Sequence, residues 1–103
     1  MAQELAIVLK GEIDHHRVDE LKTELDSIID RIMPKKLILD FKNVSMMDSS
    51  GIGLILGRYK KVKDNGGDVY VKKLNKQVDK IFEVSGLYQV IKVLNETEDY
   101  IGK

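Results

Sequence analysis

LILDFKNVSMMDSSGIGLILGRYKK, residues 37–61, joins a strand-like run to a helix-like run and so sets the architecture of the chain. The run that begins at Leu37 is continuously apolar, which is typical of a central strand that is covered on both faces or parallel to its neighbours. The apolar pattern after Ser50 predicts a helix that the glycines at 66 and 67 end. Residues 42–50 between the two runs are predicted to form a loop.

The chain on the N-terminal side predicts one more strand and one more helix. An apolar run from Leu5 to Leu9 that stops at Gly11 is typical of a buried strand followed by a turn. Apolar residues then recur at steps of three and four, which predicts an amphipathic helix with one buried stripe. The stripe consists of Val18, Leu21, Leu25, Ile28, Ile29 and Ile32. Asp14 or His16 is expected to cap its start and Pro34 to end it.

The C-terminal side continues the alternation. Residues 68–74 and 87–94 predict two further strands, and the segment between them a third helix that Asn75 caps and Gly86 ends. The last eight residues, 96–103, predict a frayed helical turn or a tail. The order β-α-β-α-β-α-β implies right-handed crossovers. We therefore predict an α/β fold with a small, largely parallel sheet and alternating helices.

The composition limits the classes of function. With 103 residues, of which 43% are apolar, the chain is long enough for one domain, residues 1–103, with a real core. Lys and Arg together number 17, as do Asp and Glu, so the charge gives no reason to expect nucleic acid or an anionic membrane as partner. The absence of cysteine excludes disulfides and thiolate chemistry. The first residues lack a signal-peptide pattern, and no apolar run approaches the roughly 20 residues that span a bilayer, so we expect a soluble, cytoplasmic protein.

Three glycines, Gly51, Gly53 and Gly57, follow the central strand and open the second helix. A dinucleotide-binding fingerprint has the form G-x-G-x-x-G, and here the third glycine comes one residue late. No acidic residue is clearly placed for a ribose after the second strand. The preferred interpretation is that the glycines let this helix approach the sheet closely, and no cofactor is expected.

Ser49 stands at a strand-to-helix turn, which is where α/β-hydrolases carry their nucleophile. Their elbow has the form G-x-S-x-G because small flanking residues permit a strained turn, and here Met47 replaces the first glycine. The two histidines, His15 and His16, precede the serine, although chain order alone does not exclude a triad. A metal site at these histidines lacks further carboxylates in a convincing arrangement. A serine hydrolase therefore stays as an alternative.

The serine pair also has a structural interpretation. A serine at a helix start accepts a hydrogen bond from a first-turn amide, which is worth about 1 kcal/mol. One of Ser49 and Ser50 is expected to be this N-cap. The other serine, Asp48 and the exposed-looking pair Met46 and Met47 then have no structural role.

The helix after the serines is apolar around most of its circumference, whereas an ordinary surface helix has one apolar stripe. Its apolar residues are Ile52, Leu54, Ile55 and Leu56. Part of this surface must be covered, either by the C-terminal segment or by a partner protein.

Three stretches are similar to one family of bacterial regulators. They are GEIDHHRVDELK (11–22), LILDFKNVSMMDSSGIGLILGRYKKVKDNGGDVYV (37–71) and VDKIFEVSGLYQVIKV (78–93). Together they resemble the anti-sigma factor antagonists of the STAS class (sulfate transporter and anti-sigma factor antagonist). The likeness covers nearly the whole chain and is closest to the antagonists of the sporulation sigma-F switch. Its most specific part is the Asp-Ser-Ser-Gly segment, residues 48–51.

The resemblance implies a protein-binding module rather than an enzyme. Such antagonists bind an anti-sigma factor that is also a serine kinase, and this binding releases the sigma factor. The kinase phosphorylates the serine directly after the loop aspartate, which is Ser49 here, and a serine phosphatase reverses the reaction. The resemblance also implies that Asp14 and Asp48 lie near the same surface and that the free protein is a monomer.

The predicted site thus combines a phosphate acceptor, Ser49, with a partner-binding surface. That surface consists of Asp14, Met47, Asp48, Ser50, Gly51, Ile52 and Arg58. Arg58, two turns beyond Ser49, is predicted to contact the partner, with a solvated residue on a helix face as the alternative. A STAS module that senses a nucleotide is a further alternative function. Family members usually carry one more N-terminal strand, which is expected to be missing or very short because only ten residues precede Gly11.

Overall fold

A computed structural model describes residues 3–95 of the protein. Its strands are β1 (Glu4–Ile13), β2 (Lys36–Met47), β3 (Asp68–Lys72) and β4 (Lys92–Val93), and its helices are α1 (Val18–Ile32), α2 (Ser50–Asp64) and α3 (Lys76–Ser85). The sheet has the order β1-β2-β3-β4, and each neighbouring pair is parallel. The predicted α/β fold with a parallel sheet and alternating helices is confirmed. The predicted tail at 96–103 lies outside the described residues.

The core lies between the three helices and one face of the sheet. Alternate residues of β2 and β3, such as Leu37, Leu39 and Val69, point into it because strand side chains alternate between faces. The α1 stripe is confirmed in its inward direction: Leu21, Leu25 and Ile29 are buried, and the other three stripe residues lie half-buried at its margin. On the opposite face, Ile38 is buried apart from this core and Val8 is exposed. The helices therefore cover mainly one face of the sheet.

The start of α1 is built differently from the prediction. Arg17 occupies the N-cap position and makes no side-chain capping bond. Asp14 instead closes the preceding turn, where its Oδ1 accepts hydrogen bonds from the backbone N–H groups of His16 and Arg17, both at 3.1 Å. The carboxylate thus orders the connection between β1 and α1 rather than capping the helix.

The central strand β2 is longer than the sequence predicts. Residues 42–47 were expected in a loop, but they continue the strand to Met47. β1 also continues past its expected end, with Gly11 at a φ of +85° within a bulged stretch, and its Ile13 pairs with Met47. A positive φ suits glycine, which has no Cβ. The local pattern suggests a loop because several of these residues are polar and exposed, whereas pairing with β1 keeps the backbone extended.

The C-terminal half follows the prediction up to Gly86. Asn75 caps α3, since its Oδ1 accepts from the backbone N–H of Val78 at 2.9 Å, and Gly86 ends the helix at a φ of +82°. The strand predicted over 87–94 is mostly wrong. Leu87–Gln89 form a 3-10 turn, and only Lys92–Val93 pair with β3.

Candidate functional site

The candidate site lies where β1 and β2 end at the same edge of the sheet. The backbone N–H of Asp48 donates to the carbonyl of Ile13 at 3.1 Å, so the turn after β1 and the turn after β2 are tied together. Nδ1 of His15 lies 4.0 Å from Oδ2 of Asp48. Asp14, Asp48 and Ser49 therefore belong to one continuous edge, next to the N-terminus of α2.

Asp48 provides the cap of α2. Its Oδ1 accepts a hydrogen bond from the backbone N–H of Ser50 at 2.8 Å, whereas Ser49, at the N-cap position, makes no side-chain capping bond. The expectation that one of the two serines caps the helix is therefore wrong, because a carboxylate already occupies that role. The Ser50 N–H is also the main cause that lowers the pKa of Asp48. A lowered carboxyl pKa stabilises the fold above the unfolded value of about 3.9, and this stabilisation is lost as pH falls through the folded pKa.

The two serines of the pair differ in accessibility and contacts. Ser49 is exposed, and Ser50 is half-buried in the first turn of α2. The Ser50 side chain also contributes to the lowered pKa of Asp48. Ser49 is thus the more accessible hydroxyl of the two.

The first backbone amides of α2 already have acceptors. The N–H of Gly51 donates to the carbonyl of Asp48 at 3.0 Å, and the N–H of Ile52 donates to the carbonyl of Ser49 at 3.1 Å. Together with the bond from Ser50 to Asp48, these contacts leave the first turn with little free donor capacity. An anion added here would meet a negative carboxylate rather than unpaired N–H groups.

Met47 and Gly51 form a packed pair below the loop. Met47 is fully buried, which makes the expectation of an exposed Met47 wrong, and its neighbour Met46 is half-buried. A Cβ added to Gly51 would overlap Cγ of Met47, so glycine is required for this close approach. Neither residue lies on the surface, because the β2 register turns Met47 toward the core and Gly51 is buried beside it. Ile52 is half-buried and packs against the core.

Two side chains at the start of α3, one at its N-cap and one in its first turn, hold the free edge of β2, and neither is predicted from the sequence in this role. The β2–β3 pairing ends at Asp40, and beyond it carboxamides take the place of a neighbouring strand. Oε1 of Gln77 accepts from the N–H of Met47 at 2.9 Å, and its Nε2 donates to the carbonyl of Met47 at 2.8 Å. Nδ2 of Asn75 donates to the carbonyls of Val44 and Ser45 at 3.1 and 3.2 Å. No local signal could have indicated contacts between residues about 30 positions apart.

The outward side of α2 carries an apolar surface that the described fold covers only in part, through the packing of Tyr59 against the core. We call it the α2 face; it consists of Gly53, Leu56, Gly57, Tyr59 and Lys60, which line a shallow hollow of about 400 Å³. Leu56 is 46% exposed, and an added Cβ on either glycine would meet no atom within 4 Å among the described residues. The prediction that these glycines allow close approach to the sheet is therefore wrong for Gly53 and Gly57. It holds only for Gly51.

Arg58 lies inside the molecule, between α1 and α2. It is 6% exposed, and its Nε is 2.8 Å from Oδ1 of Asp26 on α1. The two atoms form an ion pair, although their angles fall outside those of a hydrogen bond. The alternative of a solvated residue is therefore wrong, whereas the contact of Arg58 with a partner stays a prediction. The helix periodicity turns position 58 toward α1, and Asp26 compensates the charge there.

The buried ion pair gives a stability prediction for Arg58→Ala. We expect a loss of about 1–3 kcal/mol of unfolding free energy, because the change leaves Asp26 without its cation in a largely desolvated position. Urea denaturation followed by circular dichroism measures the loss. Lys61→Ala is the matched control, since it removes a more exposed α1–α2 ion pair with Asp30 and should cost less. Equal effects of the two changes would show that burial does not strengthen the Arg58 contact.

Within residues 3–95, no helix combines the length and apolarity needed to cross a membrane. The same residues contain no group of three or more His, Asp or Glu side chains placed to hold a metal ion.

Comparisons with known proteins agree on one family. The STAS domain model matches residues 3–100. An anti-sigma F factor antagonist of Paenibacillus polymyxa is 38% identical over 89 residues, which are 86% of this chain and 76% of that protein. The structure of the anti-sigma factor antagonist SpoIIAA in its unphosphorylated form superposes with a TM-score of 0.78 at 31% identity, covering 96% of this chain and 86% of that one. The Bacillus cell fate determinant SpoIIAA in its phosphorylated form gives a TM-score of 0.69 at 30% identity, covering 96% and 89%.

Proposed function

The chain belongs to the STAS domain family, and from this premise we propose that it is an anti-sigma factor antagonist, a binding protein rather than an enzyme. In this role it binds an anti-sigma factor with serine kinase activity and releases the sigma factor that the kinase holds. The relatives named as antagonists support the class of function. The observation that carries the proposal is an exposed serine, Ser49, at the start of a helix whose outward side is apolar and only partly covered.

The α2 face supplies the proposed contact with the kinase. Gly53 and Gly57 each cost about 1 kcal/mol of helix stability relative to alanine, and the described fold places no atom close to either. Glycines at these positions allow the backbone of a partner to approach the helix. Leu56 provides apolar area beside them, and Lys60 lies at the margin. A helix with this composition is better suited to a protein contact than to solvent.

Ser49 is proposed as the residue that the kinase phosphorylates. Its side chain is exposed and makes no capping bond, so a kinase can reach the hydroxyl without opening the helix. Ser50 is a poorer acceptor because it is half-buried in the first turn of α2. The related SpoIIAA, whose structure is known in unphosphorylated and phosphorylated forms, supports phosphorylation as the kind of modification.

The phosphate is proposed to stop binding through its charge. A phosphoserine carries about −1.5 to −2 charges at pH 7. At Ser49 the new charge would stand beside the Asp48 carboxylate, where the first-turn amides already have acceptors. His15 approaches Asp48 only at 4.0 Å and is largely exposed, so it provides little compensation. The modified protein therefore keeps its fold but presents an uncompensated charge at the contact, until a serine phosphatase removes it.

A binding experiment tests the proposed surface. Leu56→Asp should weaken binding to the anti-sigma F factor of Paenibacillus polymyxa by at least about tenfold, because a carboxylate would be desolvated in an apolar contact. Calorimetry in the presence of ADP measures the affinity. Val84→Asp, which changes a 69%-exposed residue on α3, is the matched control and should bind like the unmodified protein. Equal affinity of the Leu56 variant would remove the α2 face from the contact.

A second arm of the experiment separates binding from catalysis. The purified protein is incubated with activated esters, and separately with ATP but without kinase. Neither ester turnover nor self-phosphorylation is expected. Either activity, lost on Ser49→Ala, would favour a serine-dependent enzyme over the proposed antagonist.

A further inference from the structure

The free edge of β2 is the feature from which this inference starts. β1 pairs with one edge of β2 as far as Met47, but on the other edge β3 stops at Asp40. The last backbone groups of β2 therefore need acceptors and donors from elsewhere, since unpaired groups in a half-buried strand are costly. Gln77 provides both kinds of group to one residue, Met47, and so imitates the pairing of a neighbouring strand.

We infer that Gln77 is a positioning residue for Ser49, an inference that rests on the function proposed above. Met47 is the last residue of β2, and only Asp48 separates it from Ser49. The two hydrogen bonds from Gln77 fix the position of the Met47 peptide groups. The side chain of Met47 is held in the core below Gly51. Because the end of β2 is fixed to α3, the Ser49 hydroxyl projects from the edge of the sheet in one direction.

The effect should appear in the chemical step rather than in complex formation. The proposed contact with the kinase uses the α2 face, whose lining does not include Gln77. When the Ser49 hydroxyl samples several positions, the kinase therefore still binds the intact α2 face. The hydroxyl, however, seldom reaches the phosphate that is transferred. Misplacement by about 1 Å can cost up to about 100-fold in rate, so a partly mobile loop should lower kcat by about three- to tenfold.

The test uses Gln77→Met, which retains the length and helix preference of glutamine but forms neither hydrogen bond. Gln89→Met, the same change at an exposed residue of the 3-10 turn, is the matched control. Hydrogen exchange followed by NMR reports the Met47 amide directly, and phosphorylation by the anti-sigma F factor of Paenibacillus polymyxa with ATP gives kcat and KM. Both assays are run at a temperature where denaturation curves show each variant fully folded.

The expected result for Gln77→Met is faster exchange at Met47, unchanged exchange at Leu37 and Leu39, and a lower kcat at nearly constant KM. A merely stabilising role would leave kcat of the folded protein unchanged. The inference is overturned if Met47 exchange does not accelerate, or if it accelerates while kcat stays the same. If the unmodified protein is not phosphorylated at Ser49, the proposed function fails and this inference fails with it, while the exchange data still establish whether Gln77 holds the strand.

Discussion

Replacing Ser49 with aspartate is expected to weaken binding to the anti-sigma kinase by about 100-fold or more. An unmatched charge at an apolar contact costs several kcal/mol, and the new carboxylate would lie beside that of Asp48. Ser49→Ala should bind with unchanged affinity and accept no phosphate. Calorimetry measures the affinities, and mass spectrometry after incubation with kinase and ATP locates the modification.

The other serines provide the controls for this switch. Ser50→Ala should still be phosphorylated, because the variant retains the exposed acceptor Ser49. Ser45→Ala, at an exposed position of β2, should be phosphorylated at the normal rate. The circular-dichroism spectrum of Ser49→Asp should match that of the unmodified protein, since Ser49 makes no capping bond that the change could remove. A phosphate found on Ser45, Ser50 or Ser85, or tight binding of the phosphorylated protein, would contradict the mechanism.

Leu25→Ala is expected to cause the largest loss of stability, about 2–5 kcal/mol of unfolding free energy, as is usual for a buried leucine. Leu25 is 2% exposed and lies in the middle of the α1 stripe, between Leu21 and Ile29. Removing its side chain leaves a cavity between α1 and the sheet, and these packed elements cannot easily move together to close it. Chemical denaturation at a fixed temperature measures the loss.

The same substitution at an exposed leucine separates packing from recognition. Leu56→Ala should change the unfolding free energy by no more than about 0.5 kcal/mol, because Leu56 is 46% exposed and lies outside the hydrophobic core. It should nevertheless weaken kinase binding, whereas folded Leu25→Ala should bind normally. A loss below about 0.5 kcal/mol for Leu25→Ala would show that the inward face of α1 has been assigned wrongly.

The alternation of strands and helices followed from the sequence because its causes are local. Steps of three and four in α1 reflect helix geometry, and the continuous apolar run at Leu37 reflects a strand buried between neighbours. The cap at Asn75 and the stop at Gly86 also depend only on adjacent backbone groups. Ser49 could be predicted as a candidate residue from the Asp-Ser-Ser-Gly segment, because this segment is contiguous in the chain.

The surface of the candidate site was decided by contacts between distant parts of the chain. Arg58 is an ordinary surface residue by composition, and it is buried only because Asp26 on another helix compensates its charge. Met47 is predicted to be exposed from the sequence, but its pairing with Ile13 turns its side chain inward. β2 continues through a polar stretch because β1 pairs with it and Gln77 completes its other edge. Local periodicity reports only the backbone geometry of one segment, whereas the burial of a charge or the length of a strand depends on which groups the fold brings opposite to it.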